Sequence, residues 1–160
     1  MKFYIETSIW NFLLISEEPE KQEKENITQV FFEQVEQKKD LLYISPLVIE
    51  EIEATRDIQR RNALIDKIES YNPTELPLSE KSYTLARKYV EGGAVTYNHL
   101  YDATHLAYAT VGEIDTVVSW NMRHIVRLKT RLVVQKINLL FGYKDIQIAT
   151  PEEVIDVEET

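Results

Sequence analysis

Four short apolar runs set far apart by helical stretches constrain this chain more than anything else in it. Lys2-Phe-Tyr-Ile5, Leu41-Leu-Tyr-Ile44, Thr116-Val-Val-Ser119 and Asp145-Ile-Gln-Ile-Ala149 have strand length and β-prone composition. Between them lie helical patterns. Ile27, Val30, Phe31 and Val35 repeat at helical spacing before Lys38-Lys39-Asp40, and Ser45-Pro46 reads as a cap with proline in the first turn of a helix running through Ile52. Residues 58–70 and 79–91 read as two more helices, divided by Asn72-Pro73 and Pro77 and closed by Gly92-Gly93. Residues 101–110 form another, stopped near Gly112, and 127–141 a last one, stopped by Gly142. Strands joined through helices pair side by side in the same direction, so the fold class is α/β, with a mostly parallel sheet covered on both faces.

A length of 160 residues is one ordinary domain, expected here over residues 1–155 with an acidic tail at 156–160. With 44% hydrophobic and 28% charged residues, and only four Gly and five Pro, collagen-like and disordered classes are excluded. Cys is absent, which removes disulfides, thiol nucleophiles and zinc–thiolate sites. No apolar run approaches the roughly 18 residues of a membrane span. The opening MKFYIETSIW lacks the apolar stretch of a signal peptide, so a cytoplasmic protein is expected.

Charge limits the partners. Lys and Arg number 18 against 27 Asp and Glu, a net of −9; the five acids of residues 151–160 account for part of it, leaving 22 acids against 18 bases, or −4. A broad nucleic-acid-binding surface needs clustered cations and is excluded. A narrow basic path remains at Arg123-His124, Arg127, Lys129, Arg131 and Lys136, for which a solvated helix face is the competing reading. The Glu/Lys-rich segment 17–25 and the acidic tail both read as solvated.

In an open α/β sheet, ligands bind outside the carboxyl ends of the strands. Glu6 ends the first run with Thr7 and Ser8 beside it, Glu51 lies in the second turn of the helix after the second, Asn121 follows Ser119 at the end of the third, and Asp102 opens the helix before it. Three carboxylates and an amide from distant positions could meet there. Crowded carboxylates repel unless a cation offsets them, and the hard cations Mg²⁺ and Mn²⁺ take oxygen ligands of this kind. Phosphodiester hydrolysis is the reaction that fits. Each residue also has a plain alternative: Asp102 as a helix cap, Glu51 on a solvated face beside Glu50 and Glu53, Asn121 as the cap of turn 122–125. Glu6, among Phe3, Tyr4, Ile5 and Trp10, is expected to be semi-buried and to need a partner.

His105 lies one turn after Asp102 and reads as a hydrogen-bonded structural histidine, with His99 and His124 at the surface. No His-His-carboxylate spacing indicates zinc or non-haem iron. G-x-S-x-G, Walker and G-x-G-x-x-G patterns are absent, which removes serine hydrolase and nucleotide-cofactor chemistry. Glu6-Thr-Ser also lacks the second acid that an aspartyl-phosphate mechanism needs.

Tyr4-Ile-Glu-Thr-Ser-Ile9, Ile44-Ser-Pro-Leu-Val-Ile-Glu-Glu-Ile52, Tyr101-Asp-Ala-Thr-His-Leu-Ala107 and Val117-Val-Ser-Trp-Asn-Met-Arg-His-Ile125, with Ile137-Asn-Leu-Leu-Phe-Gly-Tyr143 and Thr150-Pro-Glu-Glu-Val154, together resemble the PIN-domain family from residue 2 to about 155. That family comprises small metal-dependent ribonucleases and includes the VapC-type toxins of toxin–antitoxin pairs. The resemblance implies a three-layer α/β/α domain around a mostly parallel sheet of four or five strands. It places the family's three acids on Glu6, Glu51 and Asp102, as ligands of Mg²⁺ or Mn²⁺, and its fourth position on Asn121, with Thr7, Ser8 and Ser119 in support. It implies an RNA substrate, an antitoxin partner and a homodimer, and makes Arg123 and Arg127 candidates for phosphate contacts. The first position is usually Asp and the fourth often acidic, so Glu6 and Asn121 depart from the pattern, and one bound ion rather than two is expected. The competing reading is a non-catalytic module of the same fold that contacts RNA or protein.

Overall fold

The chain alternates strands and helices around a five-stranded, all-parallel sheet in the order β3-β2-β1-β4-β5. The computed structural model describes residues 1–157. The strands are β1 (Lys2–Ile5), β2 (Leu41–Ile44), β3 (Thr74–Glu75), β4 (Thr116–Val118) and β5 (Gln147–Ala149). In the centre, Phe3, Tyr4 and Ile5 of β1 and all three residues of β4 are buried. Burial on both faces explains why these strands are continuous apolar runs rather than alternating ones.

The helices are α1 (Thr7–Leu13), α2 (Gln22–Lys38), α3 (Pro46–Glu53), α4 (Ile58–Tyr71), α5 (Glu80–Glu91), α6 (Leu100–Val111), α7 (Leu128–Leu140) and α8 (Pro151–Val154). They flank the sheet in two packed groups, α1 with α2 and α4, α2 also with α8, and α5 with α6 and α7. The fold is therefore the α/β class with a covered parallel sheet that the strand and helix pattern implies.

Several elements differ from the sequence reading. Strand β3 has two exposed residues at the sheet edge, too few to leave a periodic signal. Helix α1 begins directly after β1 and spans only seven residues, with Ile9, Trp10 and Leu13 buried. Ser45 occupies the N-cap of α3 yet makes no capping bond, because its hydroxyl pairs with the Tyr4 hydroxyl at 2.7 Å. Segment 17–25 is not simply solvated: α2 starts at Gln22, and buried Glu25 accepts from the Ser16 amide (3.1 Å) and hydroxyl (2.5 Å). Of the expected tail, Asp156 is tied to α2 by two backbone hydrogen bonds with the Gln34 side chain and an ion pair with Lys38; residues 158–160 lie outside the described residues.

Strand β1 sits between β2 and β4, and the chain leaves it in one direction along the sheet before returning to the other side. That reversal makes the carboxyl ends of β1 and β4 a topological switch point, where an open parallel sheet leaves a crevice. Glu6 follows β1 and Ser119 follows β4, with Glu6 N donating to Val118 O at 3.1 Å.

Candidate functional site

Glu6 has two structural duties at this edge. It is the N-cap of α1, with its side chain accepting from Ser8 N at 3.2 Å, where the helix's free amides favour an anion. It is also only 5% exposed, so its carboxylate needs donors. Oε1 accepts from the Ser8 hydroxyl (2.5 Å) and the Ser119 hydroxyl (2.6 Å). These serines are held in turn, Ser8 Oγ by Trp120 N and Ser119 Oγ by Asn121 N, both at 2.9 Å. The partner that a semi-buried Glu6 requires is thus a pair of serines, one from each side of the switch point.

Glu51 is half-buried on α3. Its Oε1 accepts from the Thr7 hydroxyl (2.7 Å) and faces His105 Nε2 (2.5 Å). His105 is fully buried, and its Nδ1 lies 2.7 Å from the Tyr4 hydroxyl, which also meets Ser45. A continuous chain, Ser45–Tyr4–His105–Glu51–Thr7, therefore ties β1, α3, α6 and α1 together. Burial works against charging the His105 ring, but the Glu51 hydrogen bond and the charges of Glu6, Glu51 and Asp102 outweigh it and hold the imidazole above its ordinary value. Burial opposes ionisation of Glu51 too, yet the His105 bond and charge and the Thr7 bond bring its carboxyl below the usual range. Burial pushes the Tyr4 phenol well up, so it remains a protonated donor.

Asp102 is the third residue of α6 and does not cap it; the N-cap is His99, which makes no side-chain capping bond. Its Oδ1 accepts from Asn121 Nδ2 at 3.3 Å. Burial raises its carboxyl, opposed by His105 and reinforced by the charge of Glu6, while His124 and His99 pull it back. Asn121 Oδ1 accepts from His124 N at 3.0 Å. That bond fixes the amide's orientation, since a flip would set two donors against each other. The turn-cap reading of Asn121 is realised, and its nitrogen rather than its oxygen faces Asp102.

Among the described residues, side chains that could ligate a metal fall into two groups, each with ligand atoms within 4.8 Å of one another: Glu6, Glu51 and His105, and His99, Asp102 and His124. The structure thus brings Glu6 and Glu51 together, with Thr7, Ser8 and Ser119 bonded to them, and places Asp102 in the neighbouring group. The donor set suits a hard cation. Every carboxylate has about four lone-pair positions, and neighbouring donors occupy three on Glu6, two on Glu51 and one on Asp102, leaving oriented oxygen free. Arg123 and Arg127 are exposed past β4, with Arg127 Nη1 donating to Arg123 O at 3.2 Å. Lys129 and Lys136 of the basic stretch are exposed, whereas Arg131 is half-buried with its guanidinium 3.8 Å from Glu153, so the stretch is only in part a solvated face.

The part played by His99 and His124 was not visible in the sequence. They read as surface residues, but both are half-buried and stack with ring centroids 3.7 Å apart. The available signal was His99 three residues before Asp102, an i,i+3 neighbour at a helix start. The link between Tyr4 and His105 joins positions 101 residues apart and left no local trace.

No family model matches the sequence, and no curated protein sequence matches it. Solved structures do. A chain in the 2.2 Å structure of VapBC-1 from nontypeable Haemophilus influenzae is similar with a TM-score of 0.58 at 16% identity, covering 95% of this chain and 99% of that one. A chain in the structure of VapBC2 from Rickettsia felis, bound to a DNA fragment from their promoter, is similar with a TM-score of 0.54 at 13% identity, covering 94% and 98%. The fold is PIN-like. At such identity the likeness establishes the fold of the whole domain and assigns no residue. The PIN-like strand order places Glu6, Glu51, Asp102 and Asn121 along one end of the sheet. No helix among the described residues is long and apolar enough to cross a membrane.

Proposed function

We propose that this chain is a divalent-metal-dependent endoribonuclease, the toxin of a toxin–antitoxin pair, with Glu6, Glu51 and Asp102 as ligands of Mg²⁺ or Mn²⁺. The observation that carries this reading is the convergence of carboxylates from the end of β1, from α3 and from α6 at the switch-point end of a parallel sheet, each held by its own donors with lone pairs to spare. A bound ion of this class supplies an activated water and offsets phosphate charge. The rest is the chain's own work. Ser8 and Ser119 hold Glu6, Thr7 and His105 hold Glu51, and Asn121 holds Asp102, so that the free oxygens are oriented before any ligand arrives. Asn121 directs a donor inward and adds no charge, which favours a single ion over a pair. Arg123 and Arg127 reach phosphates of a single RNA strand from the edge past β4. VapBC neighbours support an antitoxin chain as partner.

The test is calorimetric titration of Mn²⁺ into the wild-type protein and Asp102→Asn, with RNA cleavage measured on both. Saturable binding that weakens more than about tenfold in the variant, together with cleavage that is abolished by chelator and by the substitution, is the expected result. Equal binding by both proteins refutes the metal-centred reading and leaves a non-catalytic module of the same fold.

A further inference from the structure

Beside the carboxylate edge, the 3₁₀ turn Tyr97–His99, the start of α6 and the turn after β4 bring His99, Asp102 and His124 together. We infer that these three side chains form a separate binding site for a borderline transition-metal cation of the zinc class. The inference shares Asp102 with the nuclease reading but needs neither Glu6 nor Glu51, so the two are told apart by the histidine variants and the Glu6/Glu51 variant.

The donor chemistry distinguishes the two groups. Glu6 and Glu51 present oxygen that suits Mg²⁺ or Mn²⁺, whereas two imidazoles with one carboxylate form the ligand set of open zinc sites. His99 Nδ1 lies 3.6 Å from Asp102 Oδ2, too far for a hydrogen bond. It is close to the roughly 3.4 Å between two ligand atoms that each sit about 2.1 Å from one tetrahedral ion. Among the described residues, neither imidazole makes a side-chain hydrogen bond, so their nitrogens are free for a ligand. The rings stack at 24°, and each must swing about its Cβ–Cγ bond to aim a lone pair at a shared ion. Such a terminal torsion is broad and soft. Asp102 Oδ1 faces Asn121 while Oδ2 faces His99, so this carboxylate has one oxygen for each side.

There is room for a ligand to enter. His99 and His124 line a cavity of about 400 Å³ together with Thr96, Val95, Arg127 and Lys129. The two cations in its wall oppose a bare metal ion and favour an anionic oxygen in the remaining coordination positions.

The test is Zn²⁺ alone, titrated by calorimetry into the full chain in a non-chelating buffer. The variants are His99→Ala, His124→Ala and the double Glu6→Gln/Glu51→Gln. One Zn²⁺ per wild-type chain is expected, weakened at least about 100-fold by either histidine substitution and retained in the Glu6/Glu51 double variant. Equal binding by the histidine variants, loss only in the double variant, or no saturable binding by the wild type overturns the site. Circular dichroism checks that each variant is folded. A second readout needs no variant: the chain has three histidines, and Zn²⁺ should shift the imidazole ¹⁵N resonances of His99 and His124 while leaving His105 unmoved. Movement of His105 alone refutes the assignment.

Discussion

Replacing His105 with Leu removes the centre of the buried chain that runs from Ser45 to Thr7. An ionised Glu51 only accepts, so His105 Nε2 must carry a proton. When the ring is charged, Nδ1 donates to the Tyr4 oxygen and the phenolic proton turns to Ser45; when neutral, Nδ1 accepts from Tyr4. Ser45 lets Tyr4 satisfy either state. The substitution leaves Tyr4 with Ser45 but leaves Glu51 with Thr7 alone. A hydrogen bond to a charged group contributes about 1.5–3 kcal/mol, and breaking a buried pair costs about 3–5 kcal/mol. The Glu51 side chain is 35% exposed, so water takes up part of the loss. A destabilisation of about 2–4 kcal/mol at mildly acidic pH follows, a fall in Tm of roughly 5–15 °C for a domain of this size.

The pH dependence separates this account from loss of packing. His105 binds its proton more tightly folded than unfolded, so its contribution is complete below the ordinary 6.5 and is lost as pH rises through the raised value. Glu51 is held below 4.5, so its contribution is complete above that value and is lost as pH falls through the lowered one. The pair therefore stabilises fully between 4.5 and 6.5. Thermal melts followed by circular dichroism in chelator, from pH ~5 to ~9, should show the wild-type and variant curves converging on the alkaline side. A constant offset across the whole range would refute the charged pair and reduce His105 to a packed ring.

Three further outcomes follow from buried polar contacts. Asn138 is fully buried, with Oδ1 accepting from the Tyr89 hydroxyl at 2.5 Å, so Asn138→Leu should lower the urea-unfolding free energy by about 1–3 kcal/mol, and an unchanged midpoint refutes the role. Glu25→Ala strips Ser16 of its acceptor; amide exchange should quicken around residues 14–18 relative to β1, whereas a uniform change would mean that Glu25 acts globally. Asn121→Asp keeps the acceptor for His124 N but sets a second carboxylate against Asp102. The metal-free protein should lose about 1 kcal/mol while Mn²⁺ affinity rises about tenfold, and a change in neither would remove Asn121 from the site.

The sheet was legible because its central strands are buried on both faces: Phe3-Tyr-Ile5 and Thr116-Val-Val118 stand out as short apolar runs whatever surrounds them. Strand β3 was not, since an edge pairing of two exposed residues is set by its neighbour's backbone, with Leu76 N donating to Ile44 O at 2.8 Å, and not by its own side chains. Helix α1 escaped for a related reason: seven residues, about two turns, after a strand are fewer than the window over which helical period can be read. Glu25 shows the opposite failure. Charge density marked 17–25 as solvated, but composition says nothing about which single carboxylate will find a local donor pair.

At the site, the positions of Glu6, Glu51, Asp102 and Asn121 followed from strand ends, whereas their partners did not. The partners explain how so many acids are tolerated together. Glu6 has Ser8 and Ser119, Glu51 has His105 and Thr7, and Asp102 has Asn121, and these donors come from both sides of the switch point. Each donor has two opposed effects on an incoming cation. It stabilises the free carboxylate, which the cation must then compete with, and it fixes the direction of the remaining oxygen, which lowers the ordering cost of binding. Only the hydroxyls can yield gracefully, because Ser8, Ser119 and Thr7 can rotate their hydrogens away from an oxygen that has taken a metal ion. His105 cannot, since its Nε2 proton is held in the ring plane against Glu51 Oε1. Glu51 should therefore approach a cation through Oε2, leaving Oε1 with its histidine, while Glu6 is free to offer either oxygen.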